Sequence, residues 1–213
     1  MAKHIPPHAQ RCPRCRQPTD ARSAPGYCAA HHAAWQQQRC GAVAWARWAV
    51  ATRNVVVLDT ETTGLDDQAE VLEIALLSTH GAVLCDSLIR PQGPIPAAAT
   101  AVHHLDAAAV AHAPTFRELY PRLAALLRKR FVVVYNAAFD RRVLDQTCTR
   151  YGLPALRPAA LHCAMLEYAK FTGVWNATKQ DYTWHKLQGA DHSALGDCRA
   201  TLATIEWMAE GRD

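Results

Sequence analysis

Acidic residues follow hydrophobic segments at several points of this chain of 213 residues. Asp59 and Glu61 lie two apart near the end of NVVVLDTETTGL (54–65), a β-branched run that predicts a buried strand. Because side chains alternate between the faces of a strand, both carboxylates emerge on the same face. Adjacent acids repel each other, so we expect a cation between them. P-loop ATPases also carry an acid after an apolar strand, but this chain has no G-x-x-x-x-G-K-[ST] loop.

A third acid, Asp140, lies where the predicted strand FVVVYN (131–136) changes into a helix. Asn136 is well suited to cap that helix, which places Asp140 in its first turn. Open α/β folds have their sites near this end of a sheet. The helix dipole alone would also favour an acid there, so Asp140 taken by itself has two interpretations.

His192 and Asp197 lie five residues apart across the start of another predicted helix, with Ser193 as its N-cap. His192 precedes the helix and Asp197 lies about one turn inside it, so both side chains can face one site. A surface histidine and an acid stabilised by the helix dipole would give the same local pattern.

Taken together, these residues resemble the DEDDh family of 3′→5′ exonucleases. The three motifs of that family occur in order, as D-x-E-T-T-G at 59–64, N-x-x-F-D at 136–140 and H-x-A-L-x-D at 192–197. The resemblance covers about Asn54 to Gly211 and implies an α/β fold, a ribonuclease H-like mixed sheet flanked by helices. It further implies a metal-dependent enzyme that hydrolyses phosphodiester bonds at 3′ ends and releases nucleoside monophosphates, with DNA favoured over RNA.

The resemblance implies a catalytic set of Asp59, Glu61, Asp140, His192 and Asp197. The four carboxylates would hold two Mg²⁺ or Mn²⁺ ions, with Asp59 bridging them and Asp140 acting directly or through water. Elementary chemistry agrees, because phosphodiester cleavage needs an activated water and an anion-stabilising clamp, which two hard cations on oxygen ligands supply. Histidine exchanges protons near neutral pH, which makes His192 the natural general base.

A pocket for the 3′-terminal nucleotide is also implied by the resemblance. Its candidate residues are Thr62, Gly64, Leu65, Val102, His103, Asn136 and Phe139. The family often has glycine after the histidine of this pocket, whereas this chain has His104. Residues 168–186 interleave aromatic side chains with lysines, which is typical of a platform for unpaired bases but also of core anchors.

The N-terminal region contains Cys12, Cys15, Cys28 and His31 in the spacing C-x₂-C-x₁₂-C-x₂-H. Paired thiolates with an imidazole suit one tetrahedral, structural Zn²⁺, with His32 or Cys40 as an alternative fourth ligand. No apolar core is available between the pairs, so a metal would have to organise the segment.

The charge distribution predicts two units, a basic zinc-finger-like module with a connecting helix at 1–50 and an exonuclease domain at 54–211. Residues 1–53 carry eight Lys/Arg against one acid, a balance of +7, while the remainder has 15 against 18, a balance of −3. A basic module suggests contact with nucleic acid or a partner, although a solvated arm is the alternative. We expect removal of residues 1–50 to spare cleavage of short oligonucleotides.

Hydrophobic periodicity predicts the elements that must position these residues. Strands are expected at 54–65, 70–79, 82–91 and 131–136, with a tight hairpin at His80-Gly81. Helices are expected at 115–130, 139–152 and 193–211, and from about Ala29 to Thr52, where Gly41 should weaken the last of these.

Targeting signals and cysteine usage bear on location and partners. No secretory signal opens the chain and no apolar run approaches the ~18 residues of a membrane span, so no membrane partner is expected. The eight cysteines do not have the density of a secreted disulfide scaffold, which favours the cytoplasm. Two alternatives stay open: an adaptor that binds nucleic-acid ends, and a proofreading subunit partnered by a polymerase or another protein of DNA replication or repair.

Overall fold

A mixed sheet of five strands forms the centre of the computed structural model, which describes residues 10–19 and 26–212. The strands are β1 Val55–Thr62, β2 Val71–Ser78, β3 Val83–Leu88, β4 Phe131–Val134 and β5 Ala160–Cys163. Their order is β3-β2-β1-β4-β5, in which β1 pairs antiparallel with β2 and parallel with β4. The α/β class and the mixed sheet expected from the sequence are therefore confirmed. A separate two-stranded ribbon is formed by β6 Trp175–Asn176 and β7 Asp181–Tyr182.

The predicted strands are present with shorter bounds, and the β2–β3 connection is the expected tight hairpin. Gly81 has a φ of 84°, and its N–H donates to the carbonyl of Ser78 at 3.0 Å. β5 was not predicted. It follows Pro158 without a long apolar run, and its pairing with β4 places it in the sheet.

Six helices occur in the described part of the chain. They are α1 Ala29–Ala51, α2 Ala97–His103, α3 Phe116–Leu127, α4 Ala137–Arg150, α5 Ala164–Thr172 and α6 Ala194–Glu210. α3 begins with a capping box in which Thr115 and Glu118 satisfy each other's backbone N–H groups. α1 runs through Gly41 without a break, so the expected weak point does not interrupt the helix.

Each face of the sheet has its own core. Even-numbered residues of β1, such as Val56 and Leu58, pack with α3 and α4 on one face. Odd-numbered residues, such as Val55 and Val57, pack with α1, α5 and α6 on the other face. Asp59 continues the odd-numbered set, so the alternation of the strand directs it toward the side that carries α6.

Helix α1 is part of the second core, although the sequence predicts it as a connection between two units. Its buried residues Ala42, Val43, Ala46 and Ala49 pack with α5 and α6. Arg47 also donates from Nε to the carbonyl of Ala209 at 2.8 Å, at the end of α6. Removal of residues 1–50 would uncover one face of this core. We therefore expect the deletion to destabilise the fold rather than to spare activity. The boundary between the two units stays a prediction, and residues 1–9 and 20–25 of the N-terminal unit lie outside the described residues.

No helix within residues 10–19 and 26–212 combines the length and the apolar character that crossing a membrane requires.

Candidate active site

The carboxyl ends of the parallel strands β1 and β4 meet at one edge of the sheet, and the predicted acidic residues lie there. Asp59 and Glu61 project from the same face of β1. Asp140 enters from the first turn of α4, which directly follows β4, and it is almost fully buried. One cleft is lined by Asp59, Glu61, Asp140, His192 and Asp197, so the structure brings the whole predicted set together.

Three members of this set form a tight group. One ligand atom each of Glu61, His192 and Asp197 lies within 4.8 Å of the other two. Asp59 and Asp140 line the same cleft beside the group. Carboxylate oxygens and an imidazole nitrogen at this separation are able to share a bound ion or water.

The start of α6 positions His192 and Asp197 as the sequence predicts. Ser193 is the N-cap, and its side chain accepts the N–H of Gly196 at 3.1 Å. Asp197 lies in the first turn, where its Oδ1 accepts the backbone N–H groups of Asp191 at 3.0 Å and His192 at 3.3 Å. These bonds fix the Asp197 carboxylate, while the exposed His192 side chain stands at the mouth of the cleft.

At the start of α4, Asn136 is the N-cap residue, but its side chain makes no capping hydrogen bond. The predicted capping role is therefore not realised by the side chain, which instead lines the cleft. Asp140 is held differently, because its Oδ1 accepts the hydroxyl of Thr60 at 2.8 Å.

A further carboxylate, Glu73 on β2, belongs to the same region and was missed by the sequence analysis. It pairs with Glu61 across the β1–β2 ladder, and its Oε2 accepts the N–H of Ala194 at 2.9 Å. Glu73 therefore anchors the first residue of α6, the helix that carries Asp197. An acid flanked on both sides by apolar residues in the strand VLEIALLS is the sequence signal that identifies it.

Burial raises the pKa values of all these acids, and repulsion from neighbouring carboxylates raises most of them further. Burial raises the pKa of Asp59 well above its usual range, and the charges of Asp140 and Asp197 raise it further. Burial, followed by the charges of Asp197 and Glu73, raises the pKa of Glu61 to about 8. Burial likewise raises the pKa of Asp140 to about 7 and also raises those of Asp197 and Glu73.

Within residues 10–19 and 26–212, none of these five carboxylates forms an ion pair with a lysine or arginine. Clustered acids without cationic partners are costly unless a metal ion or protons neutralise them. Carboxylate oxygens are the ligands that suit hard divalent cations such as Mg²⁺ or Mn²⁺, and the imidazole of His192 lies beside them. The residues present therefore fit the cations that the resemblance implies.

The residues predicted to contact substrate line two adjoining hollows that share Thr60, Glu61 and Phe139. Asn136 belongs to the first hollow, and the second is lined by the remaining candidates Thr62, Gly64, Leu65, Val102 and His103. Leu65 is 79% exposed and Val102 is 47% exposed. Large apolar side chains left exposed at the rim of a cleft are typical of a binding surface.

His103 supports this hollow from within. The imidazole is buried, its Nδ1 accepts the N–H of Leu105 at 3.0 Å, and its Nε2 lies 3.2 Å from the carbonyl of Thr62. Nε2 is therefore the protonated nitrogen, and burial lowers the pKa of His103. His104 follows with a φ of 61°, a left-handed conformation that glycine adopts without strain. Glycine at this position would avoid the strain that the side chain of His104 imposes.

The aromatic residues of 168–186 divide into two classes. Phe171 and Tyr182 are buried, and Tyr168 and Trp175 pack against the two neighbouring clusters, so these four act as anchors. Trp184 is 51% exposed and has the Nζ of Lys179 4.9 Å from the centroid of its ring. A stacking platform that uses all five aromatic side chains is therefore ruled out.

A second metal-type cluster lies in the N-terminal segment. One ligand atom each of Cys12, Cys15, Cys28 and His31 lies within 4.8 Å of the others. His31 is the histidine in this group, and the alternatives His32 and Cys40 are outside it. Burial opposes ionisation of Cys12, but the backbone N–H groups around its sulfur outweigh that effect and lower its pKa to about 6.

Comparison with known proteins places the chain in an exonuclease family, in agreement with the resemblance seen in the sequence motifs. The RNase_T family of exonucleases matches residues 56–205. The uncharacterized exonuclease CP81 of Escherichia phage 186 is 38% identical over 172 residues, which is 73% of this chain and 88% of that protein. Exodeoxyribonuclease 10 of Escherichia coli K12 is 31% identical over 169 residues, with 72% of this chain and 71% of that protein covered.

Solved structures share the fold. Exonuclease X in complex with 5′-overhanging duplex DNA has a TM-score of 0.53 at 28% identity and covers 74% of this chain and 92% of that chain. The nuclease domain of 3′hExo, a DEDDh family member bound to rAMP, has a TM-score of 0.56 at 16% identity, with the same coverage. At that identity the likeness extends to the fold alone.

Proposed function

The chain belongs to the exonuclease family, and we propose that it is a divalent-metal-dependent 3′→5′ exonuclease acting on DNA. The observation that carries the proposal is the tight group of Glu61, His192 and Asp197 beside Asp59 and Asp140 in one cleft. The structure that resembles this chain at 28% identity is in complex with duplex DNA, and the 31% identical relative is an exodeoxyribonuclease. Both favour DNA as the substrate.

Asp59, Glu61, Asp140 and Asp197 are the residues that would hold Mg²⁺ or Mn²⁺. When bound, two such cations would polarise the scissile phosphate and increase the acidity of the attacking water. The protein contributes preorganisation, because Thr60 fixes Asp140, and the first turn of α6 fixes Asp197. His192, at the mouth of the cleft, is positioned to accept the proton that the water loses.

Substrate orientation follows from the second hollow. Its exposed Leu65 and Val102 would contact the 3′-terminal nucleotide, and His103 would hold the Thr62 backbone in place. Lys186 is exposed and lines the first hollow, where its ammonium group can attract the phosphate backbone. A free 3′ end thus enters between an apolar hollow and the acidic cluster.

Digestion of matched DNA and RNA oligonucleotides tests this function. A 5′-labelled DNA strand should shorten stepwise in Mg²⁺ or Mn²⁺ and release nucleoside monophosphates, whereas a chelator or Asp59→Asn should stop the reaction. Cleavage that survives the chelator would rule out metal dependence. Faster digestion of RNA would overturn the assigned preference.

A proofreading role within a polymerase is the second candidate. A DNA polymerase III subunit epsilon-like protein of Rhodobacter capsulatus is 33% identical over 163 residues, but only 22% of that protein is matched. Co-purification of a polymerase with the full chain would support this role. An adaptor that binds ends without hydrolysis would instead retain DNA in Mg²⁺ and release no mononucleotide.

A further inference from the structure

Three of the separations between ligand atoms of the N-terminal cluster are close to the edges of a tetrahedral zinc site. His31 Nδ1 lies 3.3 Å from the sulfur of Cys12 and 3.4 Å from that of Cys28, and the sulfurs of Cys15 and Cys28 are 3.6 Å apart. With Zn–S near 2.3 Å and Zn–N near 2.0–2.1 Å, the edges of the tetrahedron measure about 3.5–3.8 Å. All four ligands are accounted for, so the site is closed and suits a structural ion.

The cluster continues into a small core that it shares with the rest of the protein. Cys12, Tyr27, Cys28 and Trp35 pack with Ala169 of α5 and with Tyr182 of the β6–β7 ribbon. Since both buried cysteines are ligands as well as core residues, loss of the ion would disturb this packing.

Two hydrogen bonds fix the N-terminal segment against the end of α5. The hydroxyl of Tyr27 donates to the carbonyl of Gly173 at 2.7 Å, and the indole of Trp35 donates to the carbonyl of Lys170 at 3.0 Å. A Cβ atom at Gly173 would collide with the ring of Trp35, and the φ of 69° at Gly173 also favours glycine. The close approach at this point therefore requires glycine.

The short segment between the first two cysteines contacts the ribbon through Arg14. The guanidinium of Arg14, which lies between Cys12 and Cys15, is 4.1 Å from the centroid of the Trp175 ring. The Trp175 ring in turn meets Tyr182 edge-on at 5.6 Å.

The ribbon leads straight into the cleft. His185, Lys186 and Leu187 follow Tyr182 within five residues and line the cleft that holds the acidic cluster. The carbonyl of His185 accepts the hydroxyl of Tyr135 at 2.9 Å, so the segment is also attached to the sheet. Residues 173–187, which we call the cleft wall, are thus held between the sheet and the cysteine cluster.

We propose that Cys12, Cys15, Cys28 and His31 bind one structural Zn²⁺ and that the zinc-bound segment positions the cleft wall for substrate binding. The positioning half of this proposal rests on the proposed exonuclease function. In this proposal the zinc-bound segment acts on the cleft of the same chain. Lys186 is the cleft-wall residue that it would position to contact the phosphate backbone of the substrate.

The first measurement is the metal content of the full chain purified without added metal. We expect about one zinc per chain, retained in Cys40→Ser, since Cys40 is an exposed cysteine outside the cluster, and lost in Cys28→Ser. Hydrogen exchange should then be faster across the cleft wall in Cys28→Ser and unchanged in Cys40→Ser. Neither readout requires activity, so both hold or fail independently of the proposed function.

The second measurement separates binding from chemistry. For Cys28→Ser we expect KM for DNA to rise by about 10–100-fold, with a smaller loss in kcat, because the wall moves while the acidic cluster stays in place. Tyr27→Phe, which keeps all four ligands, should retain zinc and show a weaker effect of the same kind. Absence of zinc from the full chain would overturn the metal site. Unchanged exchange and KM in a zinc-free Cys28→Ser protein would overturn the positioning role.

Discussion

The hydroxyl of Thr60 donates a 2.8 Å hydrogen bond to Oδ1 of Asp140, joining the even-numbered face of β1 to the first turn of α4. Thr60 lies between Asp59 and Glu61 in β1. One face of the strand therefore carries two acids, and Thr60 on the opposite face orients a third acid, Asp140. This bond also lowers the pKa of Asp140, which burial raises, and it favours the carboxylate that a cation needs.

Thr60→Val should weaken metal use without removing any acid. Valine preserves the shape of threonine but cannot donate to Asp140, so the carboxylate loses its orientation. We expect the Mg²⁺ concentration for half-maximal rate to rise by about 10–100-fold, as is typical for groups that orient ligands. Thr60→Ser keeps the donor and should behave like the parent protein. Equal metal requirements in the two variants would contradict the positioning role.

The stability of the metal-free protein should fall as pH rises. The pKa values of Asp59, Glu61 and Asp140 are higher in the folded chain than in the unfolded chain, so the folded state binds more protons. These three groups therefore contribute most to the free energy of unfolding below about pH 4. Their contribution is lost progressively as the pH rises, until Glu61 ionises near pH 8.

Thermal melts in chelator across this range measure the effect, and Mg²⁺ should restore the melting temperature at the alkaline end. Asp59→Asn should flatten the profile, because it removes one of the mutually repelling charges. A melting temperature that increases with pH in chelator would contradict this account of the cluster.

Substitution of His192 tests its role in proton transfer. His192 has a φ of 59°, so His192→Asn is preferable to alanine, since asparagine tolerates the left-handed region. We expect the single-turnover rate to fall by about 10²–10⁴-fold with an unchanged melting temperature. His80→Asn, an exposed histidine in the β2–β3 turn, is the matched control. A large shift in Mg²⁺ requirement would instead make His192 a ligand.

His104→Gly should stabilise the protein. The left-handed conformation at His104 costs a side chain roughly 1–2 kcal/mol, which glycine avoids, although glycine gives up more chain entropy. We expect a net gain of up to about 1 kcal/mol in the free energy of unfolding. His104→Val should lower it, since β-branched residues are least suited to this region. Chemical denaturation of the two variants gives the comparison.

Two alanines of α1 test whether this helix is part of the core. Ala46 is fully buried against the second core, whereas Ala44 is exposed on the same helix. Ala46→Asp places an unpaired charge in the core and should cost about 3–5 kcal/mol, while Ala44→Asp should cost under about 1 kcal/mol. Equal stability of the two variants would show that α1 is dispensable for the fold, as the sequence-based division at residue 50 implies.

The convergence of the candidate residues on one cleft could be predicted because each position depends on local rules. Strand alternation places Asp59 and Glu61 on one face, and helix starts place Asp140 and His192 near the same edge. Glu73 depends instead on the pairing of β1 with β2, which includes an irregularity between Glu61 and Thr62. Pattern alone does not fix such a register, so the acid opposite Glu61 became evident only in the fold.

Local sequence patterns also do not predict that α1 packs into the second core. Its buried face consists mainly of alanines, which carry little hydrophobic signal, and its partners α5 and α6 come more than 100 residues later in the chain. The zinc-type spacing of Cys12, Cys15, Cys28 and His31 was visible in the sequence. The contact of this cysteine cluster with residues 169–182 could not be predicted. Aromatic residues in that segment are compatible with either an exposed stacking platform or an internal anchor.

The attachment of α6 at both ends has a consequence for the order of folding. Its first residue is held by Glu73, and near its last turn the Ala209 carbonyl is held by Arg47, which lies 162 residues earlier. Contacts between such distant parts of a chain form slowly, because a large loop must close first. During synthesis, the second core and the acidic cluster that includes Asp197 are therefore completed only after α6 has left the ribosome.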